Sequence, residues 1–318
     1  MKIRFNLSYD HVMATCHALK FFCSLSEMKW REAFYDMGDW AFPLPTKMIG
    51  DKSQDVIRAI IEEGVIECGY PYPKDHEYCY KNELNSLRKK WIALWSETVM
   101  YGLPFRGSLV AREIDLSEIE IEIFENALDL SSRVACGQWS EIASLMYCIR
   151  NKQTDRPLYP YLFCHSHVVD SYRAKMFKEY ERLSNGASFG ICSRNIGDYP
   201  KMMYDVYKEL RFEMGGFGVD EYPPYFAYKK CAPVIELDPV CVLENVESIK
   251  QAKDWYNSII YRYKRKCIYH AYDEYENGEY FGLPMHDKHG WYKKVLPRDT
   301  IKMYRSGYFE VISNDGED

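Results

Sequence analysis

The chain has 318 residues, 47% of them hydrophobic and 28% charged, with a net charge of −6. These proportions exclude a predominantly disordered chain. The negative balance works against sequence-independent binding to nucleic acid or to an anionic membrane surface, because both need a positive field. At this length two or three subdomains are expected rather than one core. No run approaches the ~18 apolar residues of a membrane span. The opening MKIRFNLSYDHVM carries no apolar signal-peptide core, so the expected compartment is the cytoplasm and no membrane partner is expected.

In chain order, the first hundred residues read as mostly helical. Val12, Met13, Cys16, Leu19, Phe22 and Cys23 recur at helical spacing over residues 9–24, off the face that holds His11 and His17. Pro43 and Pro45 mark an irregular link. Ser53 is positioned to cap a helix with Val56, Ile57, Ile60 and Ile61 inward, closed by Gly64. A short strand is expected in GVIECGYPYP. A helix followed by a short strand also suits a winged-helix DNA binder, but Glu62 and Glu63 would face a phosphate backbone unfavourably. A longer helix is predicted over residues 81–100, with Leu84, Leu87, Trp91, Leu94 and Trp95 inward.

The middle of the chain is more regular. LVAREIDLS predicts a strand leading into a helix capped by Ser117 and Glu120, which stand at capping-box spacing. Ile121, Phe124, Ala127, Leu128, Val134 and Ala135 form its inner face. After Gly137 the helical face continues through Ile142 to Ile149. Asp198 and Pro200 open another helix with Met203, Val206 and Leu210 inward, stopped by Gly215 and Gly216. Further on, Pro233 and Pro239 divide YFAYKKCAPVIELDPVCVLENV into short strands. A helix is predicted over residues 246–263, and GYFEVIS reads as a final strand. The expected fold class is therefore α+β, predominantly helical, with short strands in the middle and C-terminal regions. The expected organisation is a helical region at 1–107, a central α+β module at 108–218 and a mixed region at 219–318.

Within the middle region, IDLSEIEIEIFENALDLSSRVACGQWSEI and NGASFGICSRNIGDYPKMMYDVYKELR resemble a small uncharacterised family of bacterial and phage proteins. The matching positions are Ala127 to Arg133, Gly137, Gln138, Gly186 to Ile191, and Tyr204 with Asp205. The resemblance covers roughly a third of the chain, within 108–214, and omits residues 150–183. It implies a phage or mobile-element setting in a bacterial host and carries no activity. Asp129 and Arg133 stand four apart on one helix face and are expected to pair. Gly137 is expected to admit a close backbone, with Gln138 capping or bridging to it. Gly186 and Gly190 are expected to flank a strand passing something bulky. Architecture accounts for these six residues, and a binding groove is the alternative.

The chemical candidates are sparse. In YLFCHSHVVDSY, His165 and His167 share a face if the segment is a strand, and His286 and His289 of HDKH would complete a zinc or manganese site. His76 and Cys79 form another pair at ligand-like spacing. No spacing matches an established metal motif, so ordinary histidines are the preferred reading and no cofactor is expected. Cys164 beside His165 would point to the opposite strand face, which disfavours a catalytic pair. MGGFGVD follows a helix instead of preceding one and lacks the dipole for phosphate. The 11 cysteines are odd in number and scattered without a CxxC, so free and mostly buried thiols are expected. Tyrosine, with 28 copies, is the compositional outlier and suits a binding surface.

The leading expectation is a non-enzymatic cytoplasmic binding protein acting on a host protein or small-molecule ligand, with anti-defence activity one form of that. The alternative is a metal-dependent hydrolase or nuclease built on the histidine cluster. A DNA-binding regulator ranks third.

Overall fold

Lys2–Leu7 (β1) alternates strictly: Ile3, Phe5 and Leu7 are buried while Lys2 and Arg4 face outward. That period of two is the mark of a half-buried strand. In the computed structural model, residues 1–27, 76–101, 108–138, 148–157, 190–194, 196–215, 226–228, 230–248, 250–252, 298–305 and 309–313 are described. So are the strands at 281–283 and 293–295 and scattered positions in 29–40, 141–145 and 254–258. The expected helix near Ser53, the strand at GVIECGYPYP and the segments holding His165, His167, Gly186, His286 and His289 lie outside the described residues.

Ser8 caps the helix Tyr9–Ser26 (α1), its hydroxyl accepting from the His11 amide at 3.3 Å. The expected apolar face is buried at Val12, Leu19, Phe22 and Cys23, and His11 is buried with it. A short strand, His76–Tyr78 (β2), precedes the helix Lys81–Tyr101 (α2), which buries Leu84, Leu87, Trp91 and Trp95 as its spacing predicts. Val110–Asp115 (β3) then leads into Glu118–Ala135 (α3). The capping box is present: Ser117 Oγ accepts from the Glu120 amide at 3.2 Å, and Glu120 Oε2 accepts from the Ser117 amide at 2.8 Å. All six residues of the predicted inner face of α3 are buried.

The close of α3 explains Gly137. Its φ of 88° lies in the left-handed region, its amide donates to Val134 O, and the Gln138 amide donates to Arg133 O. This is a Schellman cap, whose left-handed position favours glycine. The helix predicted to run on to Ile149 does not do so, because Ile149 lies in the strand Ile149–Asn151 (β4). That strand pairs antiparallel with β2, His76 opposite Asn151 and Tyr78 opposite Ile149. Asp198–Glu213 (α4) buries Met203, Val206 and Leu210, and Gly215 at φ 75° follows it.

Pro233 directly precedes Val234–Leu237 (β5) and Pro239 shortly precedes Cys241–Leu243 (β6), as a residue without an amide donor should. The remaining strands are Phe281–Leu283 (β7), Lys293–Val295 (β8), Thr300–Met303 (β9) and Phe309–Ile312 (β10). β1 is the middle strand of a sheet ordered β3-β1-β5. A second sheet, β10-β9-β6, is antiparallel throughout, and β7 pairs antiparallel with β8. The fold class is α+β, with helix exceeding strand among the described residues.

Two compact units emerge. One comprises Met1, Phe5–Lys208 and Phe226–Val234; the other comprises Lys2–Arg4, Glu209–Tyr225 and Ile235–Asp318. In the first, α1, α2 and α3 pack on one another. Phe5, Trp91 and Phe124 form the aromatic centre of that unit, Trp91 meeting Phe5 edge-on at 5.3 Å and Phe124 at 4.7 Å. Such pairs add to the burial of their area. In the second unit, Tyr304 donates to Glu310 at 2.6 Å and Ile301 is fully buried. Among the described residues, no helix is long and apolar enough to cross a membrane.

Candidate functional site

Three consecutive turns at the C-terminal end of α3 present Asn126, Asp129, Leu130 and Arg133 beside one small cavity. The cavity measures about 130 Å³. Its apolar floor is Phe22 from α1, Tyr78 from β2, Leu130 and Leu145. Tyr78 packs edge-on against Phe22 at 5.7 Å, and both are held in place by helical and strand backbone. Burial pushes the Tyr78 phenol upward, so it stays neutral across physiological pH.

The rim is charged. Arg133 Nε donates to both Asp129 oxygens, at 2.9 and 2.8 Å. Its Nη1 reaches Gln138 Oε1 at 3.4 Å and lies 3.6 Å from Glu141 Oε1. One guanidinium is therefore shared among two carboxylates and an amide. Burial alone would lower the Arg133 pKa, but the Asp129 hydrogen bond and the Asp129 and Glu141 charges raise it. Arg133 also lies in the last turn of α3, where a cation favours the helix dipole. With one cation against two carboxylates, the rim carries a net negative charge.

A second, larger cavity of about 530 Å³ opens on the other strand residues of the β2–β4 ribbon, with Glu77, Cys79, Lys81, Arg150, Lys152 and Asp155 among its walls. Its cations are already paired: Arg150 with Asp155 at 3.2 Å, and Lys81 and Lys152 each 3.6 Å from Glu77. Tyr78 lines both cavities.

Away from these cavities Asp205 and His11 are among the buried ionisable side chains of the first unit. Asp205 on α4 is fully buried and accepts from the amides of Ala227 and Tyr228, at 2.6 and 2.7 Å. His11 is likewise fully buried, with Nδ1 2.7 Å from Ser8 Oγ and its ring edge-on to Tyr228.

Sequence reasoning therefore placed part of the site. Asp129 and Arg133 pair as their spacing implies, while Gln138, expected to cap or bridge to a close backbone, instead meets Arg133 through its side-chain oxygen. Gly190 is exposed and lies outside the described strands, and a side chain there would meet nothing within 4 Å among the described residues. The strand it was expected to flank, from Gly186 onward, lies outside the described residues. Phe22, Tyr78, Glu141 and Leu145 were not foreseen, since they reach the cavity from separate stretches of chain with no shared local pattern. Among the described residues no group of three or more His, Cys, Asp or Glu side chains could hold a metal ion. Eight cysteines are described and none is in a disulfide; only Cys23 and Cys136 of them are buried, fewer than expected, and Cys79 and Cys192 are exposed. In comparisons with known proteins, no family model matches the chain, and no curated protein or solved structure matches it.

Proposed function

We propose that this chain is a non-enzymatic binding protein that engages a host protein through the cavity beside α3. The observation that carries this reading is the pairing of a 130 Å³ apolar cavity with a charged rim at Asp129, Arg133 and Glu141. Sites for small ligands and cofactors usually enclose ~300–1,000 Å³. The α3 cavity is well below that range and has the size of a receptor for one protruding side chain. A small buried pocket ringed by polar groups is how protein interfaces concentrate their binding energy. The partner segment this site suits bears an apolar anchor next to a basic residue, which the negative rim would attract.

The resemblance of the middle region supports a phage or mobile-element origin. The partner is accordingly sought in the cytoplasm of a bacterial host, with a host defence protein as one candidate. Cys148, the one thiol lining this cavity, is not set up as a fast catalytic nucleophile, because burial raises its pKa.

Site-specific photo-crosslinking tests the proposal. A crosslinking residue at Asn126, on the rim, is compared with one at Ile92, an exposed position on α2. One host protein should be captured from Asn126 and not from Ile92, and Glu141→Arg, which reverses the sign of the rim, should abolish it while leaving the circular dichroism spectrum unchanged. Identical capture from both positions would overturn the reading. So would a small molecule retained in native mass spectrometry and released by Glu141→Arg.

A further inference from the structure

The β2–β4 register sets Tyr78 opposite Ile149, so the next facing pair outward is Cys79 and Cys148. The Cys79 amide donates to the Cys148 carbonyl at 3.1 Å, and the two thiols are themselves hydrogen-bonded. Facing residues of an antiparallel pair stand with Cα atoms roughly 4.5–5.5 Å apart, inside the ~4.4–6.8 Å span a disulfide accepts. The two partners differ in access: Cys79 is exposed and lines the larger cavity, while Cys148 is half-buried and lines the smaller one.

We propose that Cys79 and Cys148 form a redox-responsive pair that closes to an intramolecular disulfide under a peroxide and reopens under a thiol reductant. Cys79, the accessible thiol, attacks one peroxide oxygen. The S–O bond forms, the O–O bond breaks, and the departing hydroxide takes up the thiol proton as water. The Cys148 sulfur then attacks the sulfenic sulfur, forming S–S and breaking S–O, and a second water leaves with the Cys148 proton. Each thiol gives up one electron and the peroxide gains two. Two equivalents of glutathione reverse the change and leave as glutathione disulfide.

The surroundings set the speed. The Arg150 guanidinium favours both thiolates, but burial outweighs it and pushes the Cys79 thiol up to about 11. Thiolate is scarce at neutral pH, so closure is slow there and quickens roughly tenfold per pH unit. Alignment of the two sulfurs, and not an activated thiolate, makes the disulfide the favoured product over further oxidation. Closure also crosslinks the chain from residue 79 to residue 148 and ties together the strands whose residues line both cavities. The proposal stands whether or not the smaller cavity takes a partner.

The test treats the full chain with hydrogen peroxide, blocks remaining thiols by alkylation and maps peptides by mass spectrometry. The expected product is one Cys79–Cys148 crosslinked peptide lacking two hydrogens, lost on glutathione treatment and formed faster as pH rises from 7 to 9. A crosslink across that loop should raise the melting midpoint by roughly 5–10 °C. Cys79→Ser and Cys148→Ser should each abolish crosslink and shift, and Cys192→Ser should keep both. Mapping of the wild-type chain decides the matter even where a variant folds poorly. Cys79 carried to sulfinic acid with Cys148 still alkylatable, or a disulfide joining either residue to another cysteine, would overturn the proposal.

Discussion

Asp205 Oδ1 accepts from the Ala227 amide at 2.6 Å while Oδ2 takes the next amide, so one buried carboxylate on α4 fixes the segment that enters β5. The price of this anchor is a buried charge, and burial pushes the carboxyl up to about 6 although both amides pull it down. Asp205→Ala leaves two amides unpaired, at least one of them buried. A net loss of about 2–4 kcal/mol is expected, with Asp205→Asn near half of that because one acceptor remains. Urea unfolding should show a lower midpoint at unchanged slope. An alanine variant as stable as the wild type would mean that the amides find water instead.

His11 makes a prediction in pH. Burial pushes its imidazole down to about 4 from an ordinary 6.5. Between those values the unfolded chain binds the proton and the folded chain does not. Stability is therefore full above pH ~6.5 and falls as pH drops toward ~4. Asp205 has the opposite sign, since its raised pKa restores stability as pH drops from ~6 to ~4, and it masks the histidine in the wild type. The difference between His11→Gln and wild type cancels Asp205. The variant should gain about 2–3 kcal/mol relative to wild type between pH 7 and pH 4. A difference that stays constant over that range would show that His11 takes up its proton without leaving its buried site.

Much of this architecture was legible where a pattern repeats over many residues. The 18 residues of α3 show five turns of an apolar stripe with a capping box at one end, and α2 carries its tryptophans at the spacing a helix buries. β1 was missed although KIRFNL alternates cleanly, because six residues hold only three buried positions and stand beside a long helical pattern. β4 has three residues, too few to outweigh the helical spacing that Ile149 continues. The Asp129–Arg133 pair is a local relation on one helix and could be read directly. The cavity beneath it draws Phe22, Tyr78 and Leu130 from α1, β2 and α3, elements far apart in sequence that come together only in the packed fold.

The capping box of α3 does more than close a helix end. Glu120 Oε2 also accepts from Lys90 Nζ at 2.8 Å, and that ammonium reaches the Asp115 carbonyl at 2.9 Å, so α2 is tied to the β3–α3 junction. Burial raises the Glu120 carboxyl, but its hydrogen bonds from Lys90, Ser117 and Ser86 outweigh this and lower its pKa overall. Its contribution is thus present at neutral pH and lost on acidification. Ser117→Ala should cost about 1 kcal/mol. Glu120→Gln should cost more, about 2 kcal/mol, because an amide cannot match the charge of Lys90. Thermal unfolding of both variants at pH 7 checks the order, and an equal or smaller loss for Glu120→Gln would remove Lys90 from the account.

The Asp129–Arg133 pair separates a scaffold from a binding site. Arg133 is 42% exposed and Asp129 25%, so solvent screens their attraction. A double-mutant cycle with Asp129→Asn and Arg133→Met should give a coupling of only about 0.3–0.7 kcal/mol in stability. The Schellman cap is formed by backbone groups at Gly137 and Gln138 and should survive both changes. If the pair serves a partner, the same substitutions should reduce crosslinking from Asn126 at least tenfold, because removing one partner of a desolvated charge pair leaves the other unpaired. A large stability loss with unchanged crosslinking would assign the pair to the scaffold and move the binding surface elsewhere. A small stability loss with abolished crosslinking would assign it to recognition, since so weak a contribution to folding gives no structural reason for a guanidinium held among Asp129, Gln138 and Glu141 at the mouth of an apolar cavity.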